Sequence, residues 1–183
     1  MAEIKSTLEL AMERTKKISI SGEDREEIKR KEILQKASGL FHRYHEGHLP
    51  LHEILKEMDK MEEKTRNPVK ASLLSQLIDA VSLDSPGDEN SRLFEAIESL
   101  KDRDAYALGQ KLDQLLARYR KEHEKAGEKV RTQLREALRR EGISGSAVEP
   151  NVEGNPLWKK ELEELGSLYH EELKGIQEQL AGL

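Results

Sequence analysis

Four of the six histidines in this chain lie within eleven residues, close enough for their rings to share a metal ion. They are His42, His45, His48 and His52. Neutral imidazole is a good ligand for zinc, copper and nickel. However, the chain has no His-Glu-x-x-His zinc motif, and no carboxylate near the cluster has the Glu-x-x-His spacing of a di-iron site. We therefore expect no bound metal or other cofactor. We predict that these histidines form a polar corner between two helices, with metal binding as the alternative.

A long basic segment, from Arg118 to Arg140, is the second feature with possible chemistry. Its cations fall into two rows with a spacing of four residues, which places each row on one side of a helix. The rows are Lys121, Lys125 and Lys129, and Arg131, Arg135 and Arg139. Clustered cations bind nucleic acid because they release phosphate counterions. Like charges at this spacing also destabilise a helix unless negative charge lies nearby.

The chain offers its own negative charge to these rows. Residues 104–141 carry ten basic and seven acidic groups, whereas residues 142–183 carry three and eight. If the last helix packs back antiparallel, we expect the basic rows to lie near Glu161, Glu164, Glu171 or Glu172. The isoelectric point of about 5.8 also differs from the basic values typical of nucleic-acid-binding domains. We therefore predict no nucleic-acid partner, while Lys121, Lys125 and Lys129 stay candidates for binding another protein.

The segment 142–156 is irregular and long for a compact domain. It has only two charged residues, and three apolar side chains would be exposed if it were loose. These candidate partner-binding residues are Ile143, Val148 and Val152. The composition favours a structural clasp that folds onto the helices, and a docking loop for a partner is the alternative.

Motifs for catalysis are missing. The chain has no cysteine, which excludes thiolate nucleophiles and cysteine zinc sites, and it has no phosphate-binding glycine-rich loop. The sequence Gly142-Ile143-Ser144-Gly145 lacks the Gly-x-Ser-x-Gly pattern of a nucleophile elbow. We predict that the protein is not an enzyme.

The elements that position these residues are helices. Ala, Glu, Lys, Leu and Arg supply more than half of the 183 residues, a composition typical of long helices and coiled coils. Apolar periodicity and capping residues predict six or seven helices, including one from residue 2 to 18 and one from 104 to 141. Ser21 with Asp24 forms a capping box, while Asn67-Pro68 and Asn155-Pro156 each predict a helix start. Asn90 or Ser91 is predicted to cap the helix that follows the 84–88 loop.

Together these patterns predict an all-α multi-helix bundle with a long antiparallel C-terminal hairpin that resembles a coiled coil. Residues 1–83 would form a bundle of short helices, and residues 90–183 the hairpin, packed as one domain or as two closely joined ones. The final helix carries an apolar seam at spacings of three and four residues. The seam is Trp158, Leu162, Leu165, Tyr169, Leu173, Ile176 and Leu180.

Long amphipathic seams with few aromatic residues often complete their burial against a partner helix. We therefore expect a non-catalytic cytoplasmic scaffold or adaptor that binds another protein or itself and has no membrane span. The alternative is a regulatory protein that binds a metal through the His42–His52 cluster or nucleic acid through the Arg118–Arg140 helix.

Overall fold

The computed structural model describes residues 21–85, 88–101, 105–145 and 147–183, and these residues form an all-α protein. No strand is present in these ranges, as the sequence predicts. The helix predicted over residues 2–18 lies outside the described residues. The six described helices are α1 (Gly22–His45), α2 (Leu51–Asp59), α3 (Glu63–Ala80), α4 (Glu89–Lys101), α5 (Tyr106–Arg140) and α6 (Pro156–Gly182).

The chain divides into two compact units, Met1–Leu73 and Leu74–Leu183, so the boundary falls inside α3. In the first unit, α1 begins with the predicted capping box. The Asp24 backbone N–H donates to Ser21 Oγ at 3.0 Å, and the Ser21 N–H donates to Asp24 Oδ2 at 3.1 Å. Gly47, with φ +77°, ends α1 and turns the chain into α2. Arg43 of α1 then holds Glu57 of α2 through two hydrogen bonds of 2.7 and 3.2 Å.

The prediction that Asn67-Pro68 starts a helix is wrong, because α3 is already formed when it reaches Pro68. The backbone N–H groups of Thr65 and Arg66 both donate to the Glu62 carbonyl at 2.8 Å, which opens the first turn. Proline lacks an N–H and therefore removes one helical hydrogen bond. The helix nevertheless continues. Val69, directly after the proline, and Leu73, about one turn further on, are almost completely buried.

In the second unit, Asn90 has a different role from the predicted helix cap. It is the one charged or polar residue in the described ranges that is buried. Its amide donates to the Ser82 carbonyl at 2.6 Å, and its Oδ1 accepts from the Ser82 N–H at 3.2 Å. Helix α4 starts at the Asp88 carbonyl, which accepts from the Arg92 N–H at 3.0 Å. Asn90 thus ties the segment after α3 to the first turn of α4.

The long hairpin is the main structure of the second unit. Helix α5 has 35 residues, which corresponds to a length of about 52 Å, and α6 packs against it. Arg118 pairs with Glu172 and Lys129 pairs with Glu161, so a step of eleven residues up α5 matches eleven residues down α6. This relation shows the predicted antiparallel arrangement and fixes its register. Asn155 caps α6, as predicted, by accepting from the Leu157 N–H at 2.9 Å.

Burial along the hairpin is uneven. In the half of α6 near its C-terminus, Leu173, Ile176 and Leu180 are buried, and the Gln177 amide donates to the carbonyls of Ile78 and Val81. The other half, together with the facing part of α5, forms what we call the outer arm (residues 120–140 and 156–169). Within the outer arm, Val130 and Trp158 are buried, whereas seam residues such as Leu162 and Leu165 are only half-buried.

Two glycines of α5 should respond in opposite ways to replacement by alanine. A Cβ on Gly109 would lie 2.3 Å from the Phe94 ring of α4, so G109A should lower the free energy of unfolding by about 1–3 kcal/mol through overpacking. A Cβ on Gly127 would lie 3.7 Å from Trp158, an ordinary contact, so G127A should raise it by up to about 1 kcal/mol through helix propensity. Urea unfolding measures both, and equal gains for the two variants would contradict the close packing of α4 on α5.

Candidate functional site

The four clustered histidines lie where α1 turns into α2. His42 and His45 are on the last turn of α1, and the Phe41 ring lies 5.4 and 5.3 Å from their rings. His48, in the turn, approaches Glu46 with 3.5 Å between Nε2 and Oε2, and His52 is exposed on α2. Among the described residues, no three metal-ligand side chains of the His, Asp, Glu or Cys type come together. The corner therefore offers contacts to an aromatic ring and to one carboxylate, and metal binding gains no geometric support.

The basic rows of α5 have carboxylates beside them. Lys129 Nζ lies 2.5 Å from Glu161 Oε1 across the hairpin, and Lys125 Nζ lies 2.6 Å from Glu122 Oε1 on the same helix. Arg131 pairs with Glu128, and Lys121 is exposed. Of the four glutamates expected near these rows, Glu161 meets a row lysine. The other three do not: Glu172 pairs with Arg118, Glu164 pairs with Lys160, and Glu171 is exposed. Two ion pairs, Arg118–Glu172 and Lys129–Glu161, thus join the basic α5 to the acidic α6.

The loop between α5 and α6 covers one face of the outer arm. Pro150 and Val152 line a cavity of about 590 Å³ together with Gly127 and Trp158. Val148 is half-buried, as is Val152, whereas Ile143 is 47% exposed. His123 stands edge-on to Trp158 with 5.0 Å between ring centroids, at the side of the same cavity. The three apolar loop residues therefore have different environments, and Ile143 is the one of the three whose side chain is exposed.

The opposite face of the outer arm carries an open groove of about 350 Å³. Its apolar residues are Ala126 of α5 and Leu165 and Leu168 of α6. Leu168 is 67% exposed, the largest exposed fraction of any large apolar side chain in the described ranges. Charged residues rim the groove, with two lysines and one glutamate on α5 and two glutamates on α6. The rim is Glu122, Lys125, Lys129, Glu161 and Glu164.

Sequence reasoning missed this groove because Leu168 does not belong to the apolar seam of α6. The seam runs through Leu165 and Tyr169, and Leu168 is one residue before Tyr169, which turns it to the side of the helix. A second apolar residue beside a seam widens the apolar stripe of the helix. This wider stripe is the sequence feature that could have indicated an exposed apolar surface. Of the lysines that the sequence predicts as candidates for binding a partner, Lys125 and Lys129 lie on the rim of the groove, whereas Lys121 does not line it.

Three ring-bearing side chains, Tyr119 and His123 of α5 and Tyr169 of α6, pack together near the middle of the hairpin. Tyr119 packs edge-on to Tyr169 at 5.4 Å and is followed by His123, 5.9 Å away. The Tyr119 hydroxyl donates a hydrogen bond of 2.9 Å to Asp84 Oδ1. Burial first, and then the hydrogen bond and negative charge of Asp84, raise the pKa of Tyr119 from 10.0 to about 12. This hydroxyl thus ties the segment after α3 to the middle of the hairpin.

Replacing Tyr119 with phenylalanine should lower the free energy of unfolding by about 1 kcal/mol at neutral pH, because Asp84 loses its donor. Since the folded pKa exceeds the unfolded one, the contribution is complete below pH 10 and is lost as the pH rises towards 12. The gap between wild type and Y119F should therefore narrow over that range in urea titrations. The control is Y106F, which alters an exposed tyrosine. A gap that widens with pH would contradict this assignment.

Comparison with known proteins assigns no family to this chain. No protein-family model, no curated protein and no solved structure matches it. In the described part of the chain, none of the helices combines the length and the apolar character needed to cross a bilayer.

Proposed function

We propose that this protein is a non-catalytic helical adaptor that works by packing the outer arm of its hairpin against a helix of another protein chain. The observation that carries the proposal is the open groove, where Leu168 is largely exposed beside the half-buried Leu165. Amphipathic helices bind in such grooves through apolar residues at helical spacing. A cytoplasmic location belongs to the same proposal, and cell fractionation would test it.

The groove suits recognition better than it suits the binding of a small molecule. Its floor is formed by three aliphatic side chains, and its rim has charges of both signs. Ligand pockets enclose most of their ligand, whereas grooves between two helices expose one side. Rim charges give specificity and speed to association, and apolar side chains at the centre supply most of the affinity. The groove of the outer arm has the same arrangement, with aliphatic side chains at its centre and charged side chains on its rim.

The nucleic-acid alternative has weaker support because two of the three row lysines already lie beside glutamates. Phosphate binding would have to compete with these carboxylates and with the acidic α6. We expect no retardation of labelled duplex or single-stranded oligonucleotides at about 50 mM salt, where a phosphate-binding surface is strongest. Binding that weakens steeply by about 200 mM salt, and that K125A/K129A abolishes, would replace the adaptor proposal with this alternative.

Two leucines of α6 allow a matched test of the adaptor proposal. Leu168 lies in the groove, and Leu157 is 48% exposed but lines neither the groove nor the loop-side cavity. We expect L168E and L157E to keep the helical circular dichroism and the melting temperature of the wild type, because both side chains start exposed.

Tagged L168E should lose the proteins that co-purify with the wild type from its native cell, because an unpaired carboxylate in the groove costs several kcal/mol of binding, about 2–5 by analogy with interface charges. L157E should keep them. If both variants retain the same co-purifying proteins, the groove is not the adaptor surface.

A further inference from the structure

We infer that the occupant of the open groove is the same groove of a second copy of this chain, so that two hairpins form a four-helix bundle along their outer arms. This inference rests on the proposed function and names its partner. The two copies would be related by a two-fold axis parallel to the hairpin, with the groove residues Ala126, Leu165 and Leu168 of both copies at the centre.

The charges around the groove support self-recognition. The α5 side of the rim carries Lys125 and Lys129 with one glutamate, Glu122, and the α6 side carries Glu161 and Glu164. A two-fold axis parallel to the hairpin places α5 of one copy over α6 of the other. Each lysine side then faces a glutamate side, twice in the dimer. An isologous interface requires this kind of self-complementary surface.

The register of the hairpin makes the match possible at the level of single residues. Rotation about an axis parallel to the helices leaves the height of each residue along the hairpin unchanged. Lys129 and Glu161 lie at one height, because they pair within the chain at 2.5 Å. Lys129 therefore lies at the height of Glu161 of the partner subunit, and Lys125, one turn away, lies at the height of Glu164 of the partner subunit.

The other two-fold arrangement is electrostatically unfavourable. An axis that crosses the groove at right angles to the helices places α5 over α5 and α6 over α6. The lysines of the two copies would then face each other near the centre, as would the glutamates, and such like-charge contacts cost several kcal/mol in total. The charge pattern thus selects the parallel axis, which also brings the tips of both hairpins to the same end.

The groove face is the part of the outer arm whose charges complement themselves under the two-fold rotation. On the other face, the loop residues Pro150 and Val152 line the cavity of about 590 Å³ together with Gly127 and Trp158. A single self-complementary face closes a dimer, whereas two such faces would continue into a filament.

The size of the face predicts a weak dimer. Residues 156–169 of α6 cover about 21 Å, and two helices side by side are about 20 Å wide, which limits contact to about 400 Å² per copy. Interfaces of that size belong to the weak, transient class. We expect sedimentation equilibrium to show a monomer–dimer exchange between about 1 and 500 μM protein. L168E should raise the dissociation constant at least about tenfold, and L157E should leave it unchanged.

Single-cysteine variants test the direction of the packing, because the natural chain has no cysteine. A mixture of K125C and E164C copies, treated with a short bifunctional maleimide, should give a heterodimeric cross-link. K125C alone should give little, because the two α5 helices are not opposed. The control mixture of E124C and E164C should not cross-link, since Glu124 lines the loop-side cavity.

Three results would overturn the inference. They are a monomer over the whole concentration range, a dimer that L168E leaves unchanged, and cross-linking of K125C to itself in preference to E164C. These results are distinguishable from failure of the adaptor proposal. A monomeric protein whose L168E variant still loses its co-purified partner would refute self-association and leave the groove as the site for a different protein.

Discussion

The antiparallel packing of α6 on α5 is the interaction on which the second unit depends. Burial of its apolar residues supplies the stability, with about 1.5–3 kcal/mol for each large side chain such as Val130, Leu173 or Leu180. The exposed ion pairs Arg118–Glu172 and Lys129–Glu161 add at most about 1 kcal/mol each, and salt screens them. They set the register rather than the strength of the packing. Every surface described for the hairpin, including the cavity under the loop and the open groove, inherits its geometry from this register.

The uneven burial along the hairpin follows from what each half contacts. Near the C-terminus of α6, Gln177 hydrogen bonds the carbonyls of Ile78 and Val81, and the neighbouring apolar residues are buried. Tyr119 makes a comparable link to Asp84 halfway along the hairpin. Beyond that point the outer arm consists of α5 and α6, with the loop residues Pro150 and Val152 beside one face. Two helices alone cannot bury a stripe as wide as the one on α6, because each helix shields only the side that faces the other. The groove at Leu168 is the uncovered remainder.

Local chemistry made much of this fold predictable. The capping box of Ser21 and Asp24 and the cap at Asn155 are short-range signals, and the structure has both. Asn67-Pro68 is a signal of the same kind that failed, because the helix begins upstream at Glu63 and tolerates one missing hydrogen bond. Asn90 with Ser82 and Tyr119 with Asp84 could not be predicted, because each pair depends on how distant segments meet. Leu168 is the residue from which the groove could have been predicted. Its position beside the seam identifies a groove only when the register of α5 against α6 is known.

The charge contrast between α5 and α6 can now be explained by geometry. Within a single hairpin, alternating exposed pairs would stabilise the fold as well as a separation of signs does, because each pair contributes little. The distribution at the groove has a different consequence, since both lysines of the rim lie on the α5 edge, with Glu122, and the α6 edge carries only glutamates. In the proposed dimer, a face of that kind would favour one orientation of the second copy, because like charges in the wrong orientation cost more than the right pairs gain. The sequence of α5 also places its lysines four residues apart, a spacing that weakens an isolated helix. Lys125–Glu122 and Lys129–Glu161 offset that cost within the chain, and the second of these pairs also sets the register of the hairpin.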